Sequence, residues 1–64
     1  MHSIDDILWQ CSRRVRRALH DLEIHTIEEA EATPDITFLK MDNFGAASMI
    51  ELKDRLRKYR IGKE

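Results

Sequence analysis

At 64 residues the chain lies near the lower limit at which one domain buries enough apolar surface to fold alone, so a single small core spanning residues 1–64 is expected. Two glycines, one proline and 36% charged residues suit a small helical bundle with short turns and argue against a β-barrel or a disordered tail. The formal net charge of −1 argues against a partner held by overall charge alone, and the one cysteine, Cys11, excludes an internal disulfide.

Behind the acidic pair Asp5-Asp6, Ile4, Ile7, Leu8 and Trp9 form the pattern of a short helical turn within residues 1–11, with Ser3 as its cap. A chain this short needs its only tryptophan for burial, so Trp9 is expected as a lid on the core; an exposed aromatic for partner contact is the alternative. Ser12 is suited to cap a helix over residues 13–22, in which Val15, Ala18, Leu19 and Leu22 recur at i, i+3, i+4 and i+7 and face inward. The arginines are left outside. Arg14 and Arg17 share one face, and Arg13, Arg16 and His20 line a neighbouring one. A solvated basic face is the plain reading, but cations in the first turns sit at the positive end of the helix dipole, at a cost of some tenths of a kcal/mol each, which points to an anionic partner.

Thr26 followed by Glu29 is a capping-box pattern and predicts a second helix over residues 27–32, with His25 as a hydrogen-bonding residue of the turn. Thr33-Pro34 then caps a third helix, proline occupying the tolerated first position, with Ile36, Phe38, Leu39 and Met41 as its apolar face. A fourth helix over residues 46–60 directs Met49, Leu52, Leu56 and Tyr59 to the core. Ile61 is placed as a final plug, and Ile50 lies off the stripe.

Residues 38–56 read as a helix-hairpin-helix. The apolar 38, 39 and 41 give way to Asp42-Asn43, then Phe44 and Gly45, and then to the spacing 49, 52, 56. Gly45, free to take positive φ, is the expected pivot, leaving the amides of Ala46, Ala47 and Ser48 unpaired at the mouth of the last helix. Such a mouth attracts phosphate, which is how these hairpins grip a nucleic-acid backbone without reading bases. A plain αα-hairpin that only packs a core fits the same residues.

Charge is distributed unevenly. Arg13, Arg14, Arg16 and Arg17 form one basic cluster; Lys53, Arg55, Arg57, Lys58, Arg60 and Lys63 form a second; and the span from Asp21 to Asp35 carries acids but no lysine or arginine. A bipolar domain is expected, one pole facing phosphates and the other solvent or a basic protein. No nucleophile has a base at a recognisable spacing, and the histidines do not stand at ligand spacings, so neither an enzyme, a metal site nor a cofactor is expected. The unpaired cysteine and the lack of a signal-like start or membrane-length apolar run lead to the expectation of a cytoplasmic protein without membrane attachment.

In order, Ser-Arg-Arg-Val-Arg-Arg-Ala-Leu leading into Ile24-His25-Thr26-Ile27, Phe38-Leu39-Lys40, Asn43-Phe44-Gly45, Ser48-Met49 and Glu51-Leu52-Lys53 resemble the C-terminal domain of the bacterial RNA polymerase alpha subunit, over residues 12–61. The resemblance implies an all-α, SAM-like fold of four helices preceded by a nonstandard helical turn. It implies binding to the minor groove of A/T-rich promoter DNA and contacts to RNA polymerase, sigma factor and transcription activators; a monomer in isolation is expected. The family's minor-groove arginine falls on Arg14, and its hairpin glycine, serine and glutamate fall on Gly45, Ser48 and Glu51. Arg17 stands where the family commonly has asparagine, and Ala47 where it has a lysine, so one phosphate contact is lost while Arg17 with Arg13 restores charge across the groove. Because the chain opens at Met1 close to the domain edge, both an excised domain and a free-standing relative are open. Two other readings also remain: a protein-interaction module that mimics this domain to occupy polymerase, sigma or an activator, and a non-specific helix-hairpin-helix appendage of a repair enzyme.

Overall fold

A computed structural model describes residues 2–63 as five helices: α1 Asp5–Leu8, α2 Arg13–Asp21, α3 Ile27–Ala32, α4 Asp35–Leu39 and α5 Ala46–Lys63. Among the described residues there is no strand, only an isolated antiparallel bridge between Ser3 and Thr26. The expected all-α class is therefore observed, with α1 as a single turn ahead of four longer helices or helical segments.

The 18-residue α5 is the spine, against which α1, α2 and α4 pack. Its Met49, Leu52 and Leu56 are buried at the expected spacing, and Tyr59 is half-buried beside them. They close a core with Ile4, Ile7 and Cys11 from the first segment, Val15, Ala18 and Leu19 from α2, Ile27 and Ala30 from α3, and Phe38 stacked on Phe44 at 5.3 Å between ring centroids. Cys11 is enclosed, and its thiol donates to the carbonyl of Ile7; burial pushes its pKa up, which disfavours the thiolate.

Local signals explain where helices stop. α2 ends in a Schellman arrangement: Ile24 N–H donates to Leu19 O, Glu23 N–H donates to His20 O, and Glu23 takes the left-handed conformation at φ 56°. The capping box on α3 is complete, with Glu29 N–H donating to the Thr26 hydroxyl and Thr26 N–H donating to the Glu29 carboxylate, both at 3.0 Å. The N-terminal segment is pinned to this corner by Ile4 N–H to His25 O (2.9 Å) and Ile27 N–H to His2 O (2.8 Å).

Several sequence expectations are corrected. Trp9 is 77% exposed, its indole N–H donating to Asp6 O, because α1 is too short to turn that side chain inward; the core is closed without it. Ile61 is 65% exposed and does not plug the core, since α5 runs on to Lys63 instead of folding back after residue 60. On α4 only Phe38 is fully buried, while Ile36 and Leu39 face outward because a helix of 5 residues presents just one side to α5. Pro34 occupies the N-cap of α4, one position earlier than expected, and the Thr33 hydroxyl donates back to Glu29 O. Ser3 accepts from Asp5 N–H, but Ile4 holds the N-cap of α1. Ser12 occupies the N-cap of α2 without a side-chain cap bond.

Candidate functional site

The hairpin between α4 and α5 reverses on Asn43, not on Gly45. Asn43 has φ 66°, whereas neither glycine has positive φ, so Gly45 is not the pivot. Phe44 N–H donates to Met41 O at 3.3 Å, and positive φ at the third residue of this turn is the type II pattern, which asparagine tolerates. Gly45 instead precedes α5 and accepts the first helical hydrogen bond from Met49 N–H at 3.0 Å. The amides of Ala46, Ala47 and Ser48 are thereby the first-turn donors of α5, which have no carbonyl within the helix to bond. Gly45 and Ala47 are exposed there, and a Cβ added to Gly45 meets nothing within 4 Å, so the mouth is open to a close partner. Ser48, in contrast, is buried, at 8% exposure.

Across from the hairpin stands α2. With Met41, Asp42, Asn43 and Phe44 it forms an open groove of about 730 Å³, its other wall made by Arg13, Arg14, Arg17, Ala18 and Asp21. The fold thus brings together Arg13, Arg14, Arg17 and Asn43. Arg13 belongs to the same wall as Arg14 and Arg17 and not only to the neighbouring face with Arg16, which is exposed outside the groove. Asp21 and Asp42 are groove residues that the sequence reading passed over. Asp42 was absorbed into the turn signal, and the helical spacing of Asp21 from Arg14 and Arg17 was the clue available for it.

Electrostatic pairing separates the two basic clusters. On α5, Lys53 meets Asp35 at 2.7 Å, Arg55, Arg57 and Lys58 all meet Asp54, and Arg60 holds Glu31 through Nε at 2.9 Å and a second nitrogen. The hydrogen bond from Arg60 holds the Glu31 carboxyl below its usual range, and those from Lys58 and Arg57 do the same for Asp54. Of the acidic segment, Glu31 and Asp35 are spent on α5 and Glu28 and Glu29 on the corner formed by His2, His25 and Thr26, so most of its acids are tied within the fold, which corrects the expectation of an acidic pole simply facing solvent or a basic protein. On α2, Arg17 approaches Asp21 only at 3.9 Å, and no ion pair involves Arg13, Arg14 or Arg16 among the described residues.

Glu51 performs a structural task. Its carboxylate accepts the Ser12 backbone N–H at 2.6 Å, fastening the start of α2 to the side of α5, and Arg55 Nε donates to Gln10 O at 3.2 Å one turn on. These two bonds tie the segment leading into α2 to α5, beside the core packing of the two helices. No known protein family, curated protein or solved structure matches the chain. No helix among the described residues is long and apolar enough to cross a membrane.

Proposed function

We propose that the chain is a DNA-binding transcription module built like the C-terminal domain of the RNA polymerase alpha subunit, with α4, its turn and α5 serving as the helix-hairpin-helix of a SAM-like four-helix fold. The observation that carries this reading is the groove in which Arg13 and Arg14, without ion-pair partners, face the hairpin turn, while the cations of α5 are largely occupied by acids. Arg14 enters the minor groove of A/T-rich promoter DNA. A/T tracts narrow that groove and strengthen its negative potential, so an arginine is drawn in by shape more than by a base code. Arg13, Arg17 and the amides at the mouth of α5 take flanking phosphates, and Asn43 lies against the backbone between them. With roughly three to five phosphate contacts, the log–log salt slope is about −3 to −4.5, and the isolated domain is a weak binder that acts when tethered to polymerase or held by sigma or an activator.

The test is a two-dimensional amide NMR titration with an A-tract duplex and a G/C duplex at two salt concentrations. Shifts should concentrate at residues 13–17 and 43–47, be larger for the A-tract and shrink with salt; Arg14→Ala should remove most of the binding and Glu28→Ala little. Equal binding by the two variants would count heavily against this function. The carboxylates of Asp21 and Asp42 in the groove favour one second reading, in which the domain occupies sigma or an activator and barely touches DNA. Flat spectra at millimolar duplex together with recovery of a polymerase subunit or regulator from bacterial extract would select it.

A further inference from the structure

Resting on the DNA-binding reading above, we propose that Asp42 is an affinity-limiting residue of the groove, an unpaired carboxylate that opposes phosphate and keeps the isolated domain a weak binder. The groove holds three arginines and two aspartates, and the two aspartates are not equivalent. Asp21 lies on the same helix as Arg17, 3.9 Å from its guanidinium, so its charge is partly met locally and moves with α2. Asp42 stands on the opposite wall. It is exposed, on a turn whose shape is set by Asn43, and no hydrogen bond or ion pair involves its carboxylate among the described residues.

A polyanion that fills the groove must therefore bring its phosphates towards an acid with no cation of its own, within the Debye length of about 8 Å at physiological salt. The turn does not require this charge. Asparagine and serine are both good turn residues, and the positive φ belongs to its neighbour Asn43. An acid at such a place lowers binding to every duplex and leaves the final affinity to whatever tethers the domain, the usual logic of a repulsive element in recognition.

The experiment compares the parent chain with Asp42→Asn, Asp42→Ser and Asp5→Asn by fluorescence anisotropy on a labelled A-tract duplex over a salt series, with circular dichroism to verify folding. Asp5→Asn makes the same charge change on α1, away from the groove. Both Asp42 variants should bind about three- to ten-fold more tightly than the parent at low salt, the gain shrinking as salt rises, while Asp5→Asn matches the parent. Binding by Asp42→Asn where the parent shows none would support the proposal still more strongly. If the parent binds and depends on Arg14 but the Asp42 variants match it, or if Asp5→Asn gains as much, the limiting role of Asp42 is overturned and the DNA reading stands. If no variant binds any duplex at millimolar concentration, the DNA reading falls and the role of Asp42 falls with it.

Discussion

The reversal between α4 and α5 depends on one residue tolerating a left-handed backbone, and that residue is asparagine. Asn43 holds φ 66°, while the adjacent Gly45 uses an ordinary conformation and has open space where a Cβ would stand. The two positions should respond in opposite ways. Asn43→Ala places a side chain with no local hydrogen-bonding option in the left-handed region and should cost about 1 kcal/mol in urea denaturation. Gly45→Ser supplies a hydroxyl at the start of α5, where serine is a better cap than glycine, and should be neutral or stabilising by a few tenths of a kcal/mol. If Gly45→Ser instead destabilised the fold by more than about 1 kcal/mol, the assignment of the turn would be reversed. A fall in DNA binding by a fully stable Gly45→Ser would mean that the open backbone there receives a partner closely.

Between α2 and α5 the important bond runs from a backbone amide to a side chain 39 residues away, Ser12 N–H to Glu51. If Glu51 acts as a clasp, Glu51→Gln, which keeps an acceptor, should retain most of the stability, whereas Glu51→Ala should lose about 1 kcal/mol, the size of a hydrogen bond to a partly exposed charged group. DNA binding should fall with stability in the alanine variant and hold in the glutamine variant; a glutamine variant that is stable yet loses binding would assign Glu51 a direct contact instead. The same bond marks the limit of what was legible in the sequence. Helices α2, α3 and α5 were readable because their periodicity and caps are local, as in the Thr26–Glu29 box and the 49, 52, 56 stripe. The resemblance singled out Arg13, Arg14 and Arg17 as candidate residues; their meeting with Asn43 in one groove, the reach of Glu51 to Ser12, the outward turn of Trp9 and the two groove carboxylates were not legible, because each depends on how helices are placed against one another. Periodicity assigns a residue to a face of its own helix and says nothing of what stands opposite.

Over the whole molecule, acidic residues are spent on fastening the fold more than on balancing α2. Glu28 accepts from the His2 backbone N–H at 3.0 Å and lies 2.7 Å from the His2 ring, and these hydrogen bonds lower its pKa from the usual 4.5 to about 2. Glu29 is lowered by its bond from His25 N–H, with a further contribution from the capping box, and Glu31 and Asp54 are lowered by the cations of α5. A carboxylate whose pKa is depressed on folding binds protons less readily in the native state than in the unfolded chain. Between the two pKa values the unfolded chain holds more protons, so stability rises with pH through that window and is lost as pH falls. For Glu28 the window runs from about 4.5 down to about 2, and the other three carboxylates act in the same direction. Their contribution should therefore be complete at neutral pH and drain away below about pH 5. Urea denaturation at steps from pH 7 to pH 2 should show this loss, and Glu28→Gln, which removes the largest of these titrations, should be less stable than the parent at pH 7 but lose less between pH 5 and pH 2. Parallel curves for the two proteins across that range would mean that the bonds from His2 to Glu28 do not hold the N-terminal segment to α3, and that this corner is fastened by the backbone bridge of Ser3 to Thr26 and by core packing.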